Sequence, residues 1–459
     1  MKIREKQRSD KMMNNQITEG VIWQQLLLFF FPILFGTFFQ QLYNTVDAIV
    51  VGQFVGKEAL AAVGGTTSTL INLFVNFFVG LASGATVTIS QFYGNKKADK
   101  VSTAVHTAIA LSLVSGLVMM VIGIIGAPWA LQAMGTPDDI MGHATIYLRI
   151  YFVGIIPNLI YNMGSGILRA IGDSKRPLYF LIASCFTNIV LDILFVVNFK
   201  IGVMGAALAT ILSQLVSAIL VILVLSRTKE SYRMFVSKVK IHKEMVIRII
   251  QVGFPAGLQS VMYTVSNIII QSSVNSLGTD TIAAWTAYSK IDSLFWMMVS
   301  AFGISITTFV GQNYGAGKMD RVRKGIWSCL GMTAVASVLL SSILYVFGNY
   351  VFYLFTNDQS VLEIGMMILR FLAPTFITYI AIEILSGALR GTGDCWIPMI
   401  LTGLGVCALR VVWIMIAVPM RREIKTIVFS YPLTWTVTSI LFFVYFRYFS
   451  SFKKKKQRV

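Results

Sequence analysis

The chain reads as an all-α polytopic membrane protein: twelve transmembrane helices in two six-helix bundles related by a parallel pseudo-two-fold repeat. Three observations predict this. The 459 residues are 56% hydrophobic and only 13% charged, about half the charged share of a soluble globular protein. The apolar residues come in runs such as FFVGLASGATVTISQFYG and ALSLVSGLVMMVIGIIGAPWAL, near the ~20 residues that cross a bilayer as a helix. Finally, blocks of the first half recur in the second.

Taken in order, apolar runs between polar or Gly/Pro breaks place helices 1 to 6 near 26–52, 61–92, 102–125, 142–168, 178–198 and 203–225. Helices 7 to 12 follow near 249–276, 281–312, 325–347, 361–389, 397–418 and 427–448. Around them stand a polar amino-terminal segment, 1–25, a linker, 226–248, and a basic tail, 449–459, so the lobes are 26–225 and 249–448. The runs are apolar on every face, which separates them from the alternating strands of a membrane barrel. The first run is too long for a signal h-region and has no A-x-A-like site, so no cleavable signal peptide is expected. Cys185, Cys329, Cys395 and Cys407 lack CxxC spacing and read as unpaired, packed thiols. Nor do His106, His143 and His242 cluster as metal ligands would.

Basic residues set the orientation. With both termini cytoplasmic, the inside segments hold 29 of the 38 lysines and arginines, and the outside loops hold five: Lys57, Lys200, Arg421, Arg422 and Lys425. That is the positive-inside bias of a multi-pass cell-membrane protein. The net charge of +18 thus reports topology and gives no case for nucleic-acid binding. The run Lys453–Lys456 would hold the last helix end against anionic lipid headgroups.

The repeat is explicit. GILRAIGDSKRP (166–177) matches GALRGTGDCWIP (387–398), YLR (147–149) matches ILR (368–370) at the same offset, and QFYGNKK (91–97) matches QNYGAGK (312–318). FP recurs at 31–32 and 254–255, and VGKEALAA (55–62) parallels LGTDTIAA (277–284). Six helices per half is an even number, so both halves enter from one side, as in a transporter with a cavity between two lobes. The LRxxGD pair reads as Arg and Gly closing helices 4 and 10 at the cytoplasmic face.

An acid within the bilayer is costly unless protonated, paired or wet, which makes each one a candidate for function. The first half has Asp47 on helix 1 and Asp192 on helix 5. At 1.5 Å per residue Asp192 lies roughly 22 Å beyond Pro177, and Asp47 roughly 8 Å before the outer end at Gly52. Asn188 is one turn from Asp192 on the same face, and Thr210 lies roughly 12 Å inward of Gly202. Two carboxyls, an amide and a hydroxyl thus converge at one level, all hard oxygen donors suited to a proton or Na⁺. Carboxylates that close cannot both stay ionised without a shared cation. The position matching Asp47 in the second half is Ile269 or Ile270, so the cation site is expected to be single. Helix 1 carries Pro32, which permits a kink and makes it a candidate hinge, helix 7 carries its mate Pro255, and Pro157 and Pro374 interrupt helices 4 and 10. Gln40, Tyr43, Tyr263, Lys290, Asp292, Glu383 and Arg410 are further candidates for lining a cavity. Glu383 and Arg410 are close enough in depth to form an ion pair, and Lys290 with Asp292 forms a polar island. Phe38, Phe39, Tyr43, Trp285 and Trp296 offer π faces for an organic cation.

FPILFGTFFQQLYNTVDAIVVGQFVGKEALAAVG, GATVTISQFYG, LRAIGDS, TNIVLDILFV, GAALATILSQ, FVGQNYGAGKMDRVRKG and LRGTGD together resemble the multidrug and toxic compound extrusion (MATE) family, from about Ile22 to Phe446. The resemblance implies antiport of H⁺ or Na⁺ against amphipathic, often cationic drugs, by a monomer using neither nucleotide nor cofactor. It puts the family's amino-lobe cation site on Asp47, Asn188, Asp192 and Thr210, and its bending proline on Pro32. One branch carries a glutamate eight residues after the helix-7 proline. Tyr263 stands there, so the chain resembles the branch that couples through the amino lobe. A flippase of lipid-linked saccharides or cell-wall precursors, from the same superfamily, would need a strongly basic cavity. An intramembrane aspartyl protease would need Asp394 of GTGD inside the bilayer opposite a second acid, whereas it falls at a cytoplasmic helix end. QNYGAGKM (312–319) fails the P-loop spacing, and a passive channel would not need two repeated lobes.

Overall fold

In the computed structural model, residues 17–448 are described. The basic tail and residues 1–16 of the amino-terminal segment lie outside them. Among the described residues there is no strand, and the helices form twelve spans when one bent pair counts as a single crossing. These are α1 Ile22–Phe54, α2 Lys57–Gly94, α3 Ala98–Ala133, α4 Asp138–Val153 with Ile155–Ala170, α5 Lys175–Asn198 and α6 Val203–Arg227. The second six are α7 Lys243–Asn275, α8 Thr279–Gly315, α9 Met319–Tyr353, α10 Gln359–Thr392, α11 Trp396–Met420 and α12 Ile424–Tyr448.

Several helices outrun their apolar cores. The 36 residues of α3 span about 54 Å, well beyond the ~30 Å of hydrocarbon. Polar ends stay helical because backbone bonding continues into the headgroup region. Thus α7 begins at Lys243, inside the stretch expected to be linker.

Pro32 and Pro255 lie inside helices that run on unbroken, whereas α4 and α10 break at theirs. Pro157 has no N–H for the carbonyl of Val153, and α4 bends by 49° at that point. In α10 the residues Ala373–Thr378, which include Pro374, tighten into a 3₁₀ turn. Gly172 and Gly393 take φ of 99° and 92° after α4 and α10, the left-handed turn that closes a helix and favours glycine. The LRxxGD repeat is therefore a helix stop. Its acids have local partners: Asp173 accepts from the N–H groups of Lys175 and Arg176 at 3.2 and 3.1 Å, and Asp394 accepts from the Tyr445 hydroxyl at 2.7 Å.

The chain divides into two compact units. The described part of the first is Phe31–Gly257, and the second joins Ile17–Phe30 to the chain from Leu258 onward. In the first unit the end of α2, the start of α3, the end of α6 and Met245 and Ile249 of α7 share one apolar cluster. Two GxxxG patterns meet there, Gly80 and Gly84 on α2 against Gly253 and Gly257 on α7. A methyl at Gly84 would overlap the Ile249 carbonyl oxygen, and one at Gly80 the Gly257 backbone. Small residues at that spacing let helix backbones touch, the main packing device in a bilayer. The linker is not loose: Tyr232 and Met234 are buried in this cluster, and Phe235 N–H donates to His106 Nε2 at 3.0 Å.

In the second unit Phe30 stacks on Phe302 at 4.0 Å. Arg321 donates to the carbonyls of Gly20 (2.7 Å), Glu19 (2.8 Å) and Ile17 (3.2 Å), and Lys318 to that of Thr18 at 2.9 Å. These bonds strap the segment before α1 to the α8–α9 turn.

Candidate functional site

The site in the first unit is built from α1, α4, α5 and α6. Asp47 (7% exposed) and Asp192 (0%) are buried, and their carboxyl groups lie beside each other. Asn188, also 0% exposed, is one turn earlier on α5. Apolar packing at the α1 end, from Val50, Val51, Ala59, Val196, Val203 and Ala206, keeps water away from one side. Asp47 Oδ1, both Asp192 oxygens and both polar atoms of the Asn188 amide have no hydrogen-bond partner among the described residues. Such atoms are rare in a folded chain and cost about 1–3 kcal/mol each, more if charged. Thr210 Oγ1 donates to Ala206 O at 3.0 Å, which leaves its lone pairs to accept. Immediately after Asp192, residues Ile193–Asn198 widen into a π-helical stretch, a distortion common at functional sites.

Three tyrosines complete the surroundings. The Tyr147 side chain lies beside both Asp47 and Thr210, Tyr43 beside Gln40, Asp47 and Tyr151, and Tyr151 beside Gln214. Thr210 is thus joined to the acids through Tyr147. Tyr147, Tyr151 and Gln214 did not stand out in the sequence. The i, i+4 spacing of the two tyrosines, which sets both on one face of α4, was the available signal.

The second unit arranges its polar groups differently. The expected pairing of Glu383 with Arg410 does not occur: Glu383 pairs with Arg390 of its own helix at 3.4 Å and accepts from Tyr379 at 3.3 Å. Two turns along one helix suffice for that contact, so no second helix is required. Tyr263 shares a hydrogen bond with Tyr379 at 3.2 Å. Arg410, 2% exposed, donates to Thr434 at 3.2 Å and stands 4.2 Å over the Tyr431 ring. The polar island is also split. Lys290 is exposed, while Asp292 accepts from Tyr288 (3.1 Å) and Trp296 (2.6 Å) on its own helix. Trp296 in turn packs on Tyr379 and Trp435 at 4.7 and 6.2 Å. Of the other aromatic candidates, Trp285 is buried against Tyr288 and Tyr431. In the first unit Phe38 is exposed, edge-on to Phe39 at 5.9 Å.

Apolar spans, paired broken helices and two adjacent buried acids define a polytopic helical membrane protein with a polar site inside one unit. The chain belongs to the MatE family, whose sequence model matches residues 32–194 and 255–416. It is 28% identical over 449 residues, 95% of each chain, to the "Probable multidrug resistance protein YoeA" of Bacillus subtilis (strain 168). Similarity to the "Probable multidrug resistance protein YpnP" of the same strain is 29% over 377 residues, 82% of this chain and 84% of that one. The fold is that of a solved structure described as the "outward-facing conformation of a multidrug resistance MATE family transporter of the MOP superfamily". The TM-score is 0.88 at 22% identity, over 94% of this chain and 96% of that one.

Proposed function

We propose that the protein exports amphipathic, often cationic drugs across the cell membrane by alternating access, driven by H⁺ or Na⁺ moving the other way. The names of the relatives support the drug-export part. One observation supports the coupling part: the buried carboxyl groups of Asp47 and Asp192 lie against each other, and Asp47 Oδ1 and both Asp192 oxygens find no other hydrogen-bond partner among the described residues. A buried acid pair has two low-energy states, one holding a cation between the carboxyls and one with the site opened to water. Alternation between those states links cation binding to conformation, provided each ligand favours a different state. Asn188 and Thr210 add neutral oxygens, so the donor set suits Na⁺ as well as H⁺.

Pro32 is the proposed hinge. It lies just past the Phe30/Phe31 boundary at which α1 passes from one unit to the other, and Pro255 lies close to the Gly257/Leu258 boundary in α7. A residue that frees a backbone carbonyl at such a boundary allows bending at little cost. Both termini are assigned to the cytoplasm by the charge bias, and repetition of the proline break in α4 and α10 supports two six-helix lobes of common origin.

The test is drug transport in proteoliposomes with a proton or a sodium gradient imposed separately. Wild type should respond to one gradient, and Asp47→Asn should lose the response while still binding drug. Full gradient-driven export by Asp47→Asn would overturn the coupling role.

A further inference from the structure

Two arginines stand apart from every site described so far. Arg149 on α4 and Arg370 on α10 occupy matching positions of the repeat, YLR and ILR, and both are exposed. Arg149 Nε donates to Ile124 O of α3 at 3.2 Å, and the Arg370 guanidinium lies 6.0 Å from the Tyr345 ring of α9. Ile124 and Tyr345 are separated by the same repeat offset as the two arginines. Each half therefore lays an arginine along the same stretch of its third helix. Among the described residues neither guanidinium has a carboxylate partner.

The surfaces around them are apolar. Ile122, Ile125, Ile146 and Val153 are exposed near Arg149, as are Val338 and Val346 near Tyr345. An exposed apolar face on a span this long faces lipid tails. Each arginine is eleven residues into its helix, about 16 Å from the helix start. Helical side chains lean toward the N-terminus, so both reach back toward the headgroups at the end where these helices begin. A guanidinium on a tail-facing surface keeps its charge and must find an anion or water at that level. The group available there is a lipid phosphate, whose negative charge a basic side chain at that level would meet.

We propose that Arg149 and Arg370 form two repeat-related binding sites for a phosphate-bearing lipid headgroup. Both sites lie on the starting side of a break, at Gly154 in α4 and at Ala373–Thr378 in α10. Lipid held there fixes the first segment of a jointed helix to the leaflet. The leaflet concerned follows from the proposed orientation, but the binding does not, so the test below is independent of that reading and of transport.

The full-length protein in detergent is titrated by native mass spectrometry with phosphatidylglycerol and with a diglucosyl diacylglycerol that lacks phosphate. Arg149→Gln and Arg370→Gln should each raise the Kd for one phosphatidylglycerol about fivefold, and the double variant should weaken the pair of sites about 25-fold. That corresponds to about 1 kcal/mol per basic residue at a membrane surface. Glycolipid binding should not change, and Arg149→Lys with Arg370→Lys should keep most phosphatidylglycerol binding. Unchanged phosphatidylglycerol binding in the double glutamine variant would overturn the proposal, as would an equal loss of glycolipid or of binding in the lysine variant. Competition by millimolar inorganic phosphate would identify a free-anion site and overturn the lipid assignment.

Discussion

In the first unit the fully buried Asp192 meets only the Asp47 carboxyl among the described residues, while in the second unit Asp292 accepts from Tyr288 on one oxygen and from Trp296 on the other. Glu383 is likewise held by Arg390 and Tyr379. An acid supplied with donors by its own helix is held in place, whereas a buried acid pair with few donors is the costlier arrangement and the stronger candidate for function. Sequence blocks recur between the two halves, yet such recurrence says little about chemistry. Ile269 or Ile270 stands where the first unit has Asp47, and Asp292 and Glu383 find their donors on their own helices.

The strongest way to break this comparison is to remove one acid from each unit. Asp192→Asn should abolish gradient-driven transport, since one carboxyl cannot reproduce the shared-cation state. Glu383→Gln should leave transport within a few-fold of wild type. Measured together in proteoliposomes, equal losses would show that the second unit also couples, and the contrast drawn above would fail.

Packing gives the next largest effect. Gly84→Leu would drive a side chain into the Ile249 carbonyl and the Gly253 backbone, where no rotamer relieves the overlap. We expect a loss of about 3 kcal/mol or more, seen as collapse of the monodisperse peak in thermal-shift size-exclusion chromatography. Gly126→Leu on α3, where an added Cβ meets nothing within 4 Å, should leave that peak unchanged.

The sequence made most of this architecture legible, because the bilayer imposes long apolar runs and a charge bias that few soluble folds mimic. The twelve spans, the prolines that break α4 and α10, and the glycine helix stops could all be read from residue type alone. The depth count brought Asp47 and Asp192 to one level because helical rise is fixed. What escaped were contacts that depend on rotation about a helix axis. Glu383 lies within reach of both Arg410 and Arg390 in depth, and only side-chain direction decides between them. The GxxxG faces of α2 and α7 were present as GLASG and GFPAG, but nothing in one sequence says that they meet. The same holds for Tyr147, which looks like core until Thr210 and Asp47 are placed beside it.

A smaller effect is expected at the ion pair of the second unit. Glu383→Ala leaves Arg390, about one-fifth exposed, without its carboxylate. Solvent screens part of the penalty, so about 2 kcal/mol of stability should be lost, below the 3–5 kcal/mol of a fully buried pair. Glu383→Gln/Arg390→Gln should recover most of it in the same thermal assay. If single and double variants are equally destabilised, the pair is not what holds α10, and the second unit is less self-satisfied than its geometry indicates.

The smallest effect separates the two candidate ions. The Thr210 hydroxyl hydrogen is committed to Ala206 O, so toward Asp47 the side chain can offer only oxygen lone pairs. Sodium needs several such oxygens, while a proton needs only the carboxyl that carries it. Thr210→Val keeps the shape and removes one donor, worth about 1 kcal/mol, or roughly fivefold in the sodium concentration giving half-maximal transport. The same variant should leave a proton-driven cycle unchanged. A shift under the sodium gradient alone would assign Thr210 as a ligand of sodium; no shift under either gradient would confine the first unit's site to its two acids and Asn188.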